Sequence, residues 1–105
     1  MNRSLCNGTI PLSAETDFPL REITGSWTSL EGKTAVRVFR NESRKSGGFL
    51  LELAYNNPQA VLLCPVINVK GIHYIDLYGR IYLSYDVERD VLYLSGYGEY
   101  IRVWD

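Results

Sequence analysis

Few side chains in this chain are able to do chemistry. His73 is the only imidazole, and Cys6 and Cys64 are the only thiols. A cysteine nucleophile needs a base and a group that orients the base. Cys64, His73 and Asp76 are the residue types that would supply that set. Nothing in their spacing brings them together. Cys64 also ends the apolar run Ala60-Val61-Leu62-Leu63-Cys64, where a small packed hydrophobe is the ordinary role. A zinc or iron site needs several converging ligands, and a lone His73 with no H-x-H or C-x-x-C companion does not provide them, so no metal is expected. Asp86, Glu88 and Asp90 alternate in Asp86-Val87-Glu88-Arg89-Asp90. That segment lacks the turn glycine and the ligand number of a calcium loop and reads as a solvated hairpin tip. Gly47-Gly48 and Gly96-Tyr97-Gly98 lie between strands, whereas a dinucleotide fingerprint must open a helix. No catalytic set and no cofactor are expected, so the chain reads as a non-enzymatic protein.

What remains is surface chemistry. The chain has 8 Tyr, 2 Trp and 3 Phe, and its tyrosines between residues 74 and 100 fall mostly opposite the aliphatics. Tyr74, Tyr78, Arg80, Tyr82 and Tyr93 form the expected contact surface. Small barrels bind single-stranded nucleic acid by stacking bases on such aromatics within a basic groove. However, 11 Lys+Arg against 12 Asp+Glu leave a net charge of −1, and binding by counterion release needs clustered cations. Nucleic acid is therefore the weakest partner class. Arg37, Arg40, Arg44 and Lys45 are the densest basic region, and they read as a solvated strand edge that resists edge-to-edge pairing.

The elements that must position these groups are strands. At 105 residues the chain fits one domain, with residues 1–16 a loose, unpatterned tail and 17–105 the folded unit. Asp17-Phe18-Pro19 through Gly25 suggests a short N-terminal helix of at most two turns, capped by Asp17. After Gly25 about eight short strands are expected: 26–30, 35–40, 49–55, 60–67, 72–77, 80–85, 91–95 and 99–104. Pro65 marks an edge or a bulge, and 68–71 a turn. Connections this short rule out parallel crossovers, so the fold class is all-β, an antiparallel meander forming a small barrel. Alternation places Trp27, Val36, Val38, Leu51, Leu53, Leu63, Ile75, Leu77, Ile81, Leu83, Leu92, Leu94, Ile101 and Val103 inside, with Tyr100, Arg102 and Trp104 opposite. Eight short strands enclose an interior just wide enough for side chains or one small ligand, and the large aliphatics favour a filled core.

Ile23-Thr24-Gly25-Ser26-Trp27, after a short helical turn, resembles the Gly-x-Trp opening of lipocalin-like (calycin) barrels. The resemblance implies a helix that closes one barrel end and a structural latch in which Trp27 packs beneath an arginine of the last strand, here Arg102. The remaining lipocalin loop motifs are absent, and the chain is short for that group. Gly25-Ser26-Trp27 with Glu31-Gly32-Lys33, and residues 83–94 leading into Gly98-Glu99-Tyr100-Ile101-Arg102, are similar to an uncharacterised family of small β proteins from gut-dwelling anaerobic bacteria. Members of that family are often encoded near conjugative transposon genes. The likeness spans roughly residues 23–103 and carries no catalytic residue.

Residues 1–12 show no secretory pattern, and no run approaches the ~18 apolar residues of a membrane span. With two cysteines making no disulfide framework, the expected location is cytoplasmic. The leading expectation is a binding or accessory module linked to a conjugative element and acting on an unknown protein partner. A carrier of a small apolar ligand in the barrel mouth and a single-strand nucleic-acid binder using the Tyr/Arg face are the alternatives. A homodimer through a strand edge is a further arrangement open to an aromatic sheet.

Overall fold

The computed structural model describes residues 15–42, 47–56 and 59–104. A single turn of 3₁₀ helix, Leu20–Ile23, precedes nine strands among them: β1 (Gly25–Ser29), β2 (Thr34–Arg40), β3 (Phe49–Asn56), β4 (Gln59–Pro65), β5 (Ile67–Val69), β6 (Ile72–Asp76), β7 (Arg80–Asp86), β8 (Val91–Leu94) and β9 (Gly98–Val103). All pairings are antiparallel, in the spatial order β4-β3-β2-β1-β9-β8-β7-β6-β5. Each strand therefore lies beside its sequence neighbours except at one place, and one further pairing joins the two ends of the strand sequence. The first and last strands pair with one another, and β4 and β5 stand at opposite ends of the sheet although only Val66 separates them in sequence. One bent segment thus serves β3 with its first half and β6 with its second, which brings the sheet to a nearly closed barrel. Corners of this kind are made by strands that change partners at a bend. Pro65 lies at this one, and the Val66 amide donates to the Phe49 carbonyl at 2.9 Å. β7 divides in the same way, with Arg80–Tyr82 on β6 and Leu83–Asp86 on β8. On its other edge Tyr85 exchanges two 2.9 Å backbone bonds with Glu15.

The core is the inward stripe of these strands. Ile23, Trp27, Val36, Val38, Leu51, Leu53, Ile75, Ile81, Leu83, Leu92, Leu94 and Tyr100 are buried in one cluster with Phe18, Cys64 and Tyr85. Each buried Leu, Ile or Val contributes roughly 1.5–3 kcal/mol relative to exposure. A void would forfeit part of that.

Several expectations are corrected. The N-terminal helix is a four-residue 3₁₀ turn whose cap position is Pro19, with no side-chain cap bond. Asp17 does not cap it, and its carboxyl lies against Gly71. The eight strands become nine because residues 60–67 break at Val66, and Asn68 and Val69, expected in a turn, join Ile67 in a strand paired with β6. Leu63 faces outward and is 57% exposed. Leu62 and Cys64 lie opposite the buried Leu53 and Leu51, and cross-strand partners share a face. The last strand is reversed as well. Trp27 stands directly opposite Arg102 and Thr28 opposite Ile101, so Arg102 and Tyr100 share the inward face with Trp27. Ile101 and Val103 face out, 41% and 45% exposed. Burying the Tyr100 ring and seating Arg102 over Trp27 decide the phase. Leu77 is only partly buried.

Candidate functional site

The 3₁₀ turn and the chain before it close one barrel end. Phe18 plugs it, its ring 4.8 Å from His73 and 5.9 Å from Tyr85. His73 Nε2 is 2.8 Å from the Phe18 carbonyl, and Nδ1 is 3.0 Å from Asn68 Nδ2. A carbonyl only accepts, so Nε2 carries the proton and Nδ1 accepts from the amide. Both ring nitrogens are therefore engaged, and His73 offers Cys64 no base. Burial pushes the Cys64 thiol up, and the negative charge of Asp76 adds to it, which disfavours a thiolate.

Around that plug sits the Arg102 arrangement. The Trp27 indole donates to the Ile23 carbonyl at 2.9 Å. The Arg102 guanidinium lies 4.3 Å over the Trp27 ring and 5.3 Å from Trp104. It donates from Nη1 to the Thr24 carbonyl at 2.8 Å and from Nη2 to the Glu22 carbonyl at 2.8 Å. It also grips both Asp90 oxygens, Nε to Oδ2 at 2.9 Å and Nη2 to Oδ1 at 3.0 Å. Tyr85 donates its hydroxyl to Asp90 Oδ1 at 2.7 Å. These donors, Arg102 first, hold the Asp90 carboxyl below the usual range. Gly25 has φ +125°, and a Cβ there would lie 3.3 Å from Arg102 Nη1. The glycine of Gly-x-Trp therefore makes room for the guanidinium.

The opposite end is open. A recess of about 390 Å³ is lined by Leu30, Thr34, Tyr55 and Tyr97 together with Glu31, Lys33 and Glu99. Tyr55 donates to the Tyr97 hydroxyl at 3.0 Å, and Thr34 and Tyr100 share a 2.9 Å hydroxyl contact. The bond to Tyr97, followed by burial, pushes Tyr55 up to about 12.

The tyrosine face is only partly assembled. Tyr74 and Tyr82 stand opposite one another with rings 5.9 Å apart, and Arg80 lies 4.7 Å over Tyr74. Tyr82 is 37% exposed and adjoins the exposed Ile72 and Val69 on the same outward face. Tyr78, 99% exposed at the β6–β7 tip, takes the left-handed φ of +57°. Two members of the expected surface are corrected. Tyr74 is buried beneath its neighbours. Tyr93, on β8 opposite Ser84 of β7, is 3% exposed, and its hydroxyl accepts from Arg89 Nη1 at 3.3 Å.

A further cleft, of about 470 Å³, lies at the closed end where β2 outruns β1. The β1 register begins at Gly25 opposite Val38, so Phe39 and Arg40 have no β1 partner. Arg21, Arg37, Arg40, Phe39, Phe49 and Ser26 line it. Arg37 lies 4.3 Å over Phe39 and donates from Nε to Glu52 at 3.2 Å, while Arg40 lies 5.3 Å over Phe49. Sequence reasoning treated these arginines as solvation alone. The sign in the sequence is Arg37-Val38-Phe39-Arg40, cations interleaved with an aromatic, of which Arg40 lies opposite Phe49 across the hairpin. Arg44 and Lys45 lie outside the described residues. Among the described residues no three His, Cys, Asp or Glu gather as a metal site, and no helix is long and apolar enough to cross a membrane.

A barrel closed by an aromatic–arginine plug and carrying recesses on its surface defines a class of small antiparallel β module. The chain belongs to the DUF3876 family, described as a domain of unknown function, B. Theta Gene description, whose model matches residues 13–102. No curated protein and no solved structure matches the chain.

Proposed function

We propose that the protein is a non-enzymatic binding or accessory module, a lipocalin-like barrel that works through its outward surface on a protein partner. The observation that carries this reading is the outer face of β5–β7. Exposed Val69, Ile72 and Tyr82 adjoin the stacked Tyr74–Arg80 pair there, while the inward side chains pack into one cluster. Aromatics and arginine at the centre of an apolar patch are what protein interfaces enrich. The likeness to proteins encoded near conjugative transposons makes a product of such an element the partner class to test. A buried free thiol at Cys64 suits the reducing cytoplasm. The test is affinity capture with the wild-type chain and with Ile72→Ser/Tyr82→Ala, both verified as folded. A partner encoded by the element should be retained by the first and lost from the second. Identical capture by both would remove this face from consideration.

A second reading, a carrier of a small apolar ligand, is favoured by the recess at the open end, with Leu30 and two tyrosine rings in its wall. Native mass spectrometry of freshly purified protein should then show a co-purifying mass that Tyr97→Ala loses. A single-strand binder would instead show salt-sensitive gel shifts that depend on Arg80 and Tyr82.

A further inference from the structure

We propose that the cleft between the 3₁₀ turn and the β2–β3 hairpin is a binding site for a dianionic oxyanion, a phosphate monoester or diphosphate carried by a small organic molecule. This is a different surface from the tyrosine face and stands or falls separately. Three arginines, Arg21, Arg37 and Arg40, are among the residues lining the cleft. The carboxylate that meets them, Glu52, takes the Nε of Arg37 alone. The other Arg37 nitrogens and the guanidinium groups of Arg21 and Arg40 have no hydrogen-bond acceptor among the described residues. Among the described residues the cleft lining holds three arginines and no carboxylate, which suits a dianion.

Two of the arginines rest on aromatic rings. Arg37 and Arg40 each lie over a phenylalanine ring, at 4.3 and 5.3 Å. Stacking uses the flat face of a guanidinium and leaves its in-plane N–H donors free, the fork that matches phosphate oxygens. Arg102, by contrast, stacks at 4.3 Å on Trp27 but directs its donors to Asp90, Thr24 and Glu22. The Ser26 hydroxyl lines the same cleft, and the start of β1 at Gly25 leaves the end of β2 as an open wall. A volume of about 470 Å³ exceeds what a bare phosphate fills, so the anion would arrive on a larger group. Acidic peptides and single strands offer charge spread along a chain, whereas Arg21, Arg37 and Arg40 share one cleft.

The test is a titration of the full chain with inorganic pyrophosphate at low salt, followed through the arginine Nε–H and backbone NMR signals. Adenosine monophosphate, an oligo-glutamate peptide and an oligothymidylate are titrated in parallel. Saturable shifts should appear at Arg21, Arg37, Arg40 and Ser26 with pyrophosphate and the nucleotide. Arg21→Gln/Arg40→Gln should weaken them about tenfold or more, Arg40→Lys should weaken them less, and Ile72→Ser/Tyr82→Ala should leave them unchanged. All these positions are exposed, and circular dichroism checks each variant's fold. Absence of saturable shifts, equal binding by the Gln variant, or tighter binding of the peptide or the oligonucleotide would each overturn the proposal.

Discussion

Two arginine–aromatic stacks sit at the same end of this barrel, and they differ in where their hydrogen bonds go. Arg102 on Trp27 and Arg37 on Phe39 have the same 4.3 Å separation. The Arg102 guanidinium is 13% exposed in its side chain and makes four bonds to Asp90, Thr24 and Glu22, drawing the last strand, the β7–β8 hairpin and the 3₁₀ turn together. Arg37 is half exposed and bonds Glu52 through one nitrogen. Stacking alone therefore does not separate a structural arginine from a recognition arginine. Saturation of the donors does, because a charged donor fork without acceptors is available to a ligand, and one enclosed by the fold's own carbonyls is not.

Perturbing each side should give effects that differ in size and in kind. The largest belongs to Trp27→Ala, which removes the platform and opens the closed end. About 3–5 kcal/mol should be lost in urea unfolding. Next comes Gly25→Ala, where a Cβ meets Arg102 Nη1 and the positive φ becomes strained. A loss of roughly 1–3 kcal/mol is expected by the same measurement. Asp90 gives the pH dependence of that side. Its folded-state value is depressed, so its contribution is present above the ordinary carboxylate pKa and is lost as pH falls through the lower folded value. Thermal melts from pH 7 to pH 2 should show an acid limb that Asp90→Asn flattens. At the open end, Tyr97→Phe should bring Tyr55 from about 12 back toward 10 in an absorbance titration, with stability at neutral pH changed by about 1 kcal/mol or less. The raised Tyr55 value implies stability that is present below the ordinary tyrosine pKa and declines as pH rises toward about 12. The smallest stability effect belongs to Arg21→Gln/Arg40→Gln, within about 0.5 kcal/mol, and its signature lies in anion binding instead.

The all-β class, the antiparallel pairing and most of β1, β2, β3, β7 and β8 were legible because apolar and polar residues alternate there. Legibility failed where alternation was absent or misleading. In Ala60–Cys64 every position is apolar, so the phase of β4 was set by Leu51 and Leu53 across the sheet and not by its own residues. In β9 the aliphatics Ile101 and Val103 looked like the core stripe. However, an arginine over Trp27 has to share Trp27's face, and the resemblance-based pairing and the alternation-based face could not both hold. The latch geometry won because Tyr100 and Arg102 together fill more space and make more bonds. The tyrosine surface shrank for a related reason: period two separates faces but does not tell how deeply a neighbouring strand buries the outer one, as at Tyr93. The interleaved Arg37, Phe39 and Arg40 show in the sequence, but the cleft they line depends on β2 extending past β1, a difference in strand length that the pattern does not encode.

Urea unfolding of Arg102→Gln beside Arg37→Gln/Arg40→Gln compares the two stacks most directly. The first should lose about 2–4 kcal/mol, because Asp90 and two carbonyls are left without their charged donor. The second should stay within about 0.5 kcal/mol of the wild type. Equal losses in the two variants, or a stable Arg102→Gln, would contradict the distinction between an arginine that holds the barrel shut and arginines that await a ligand.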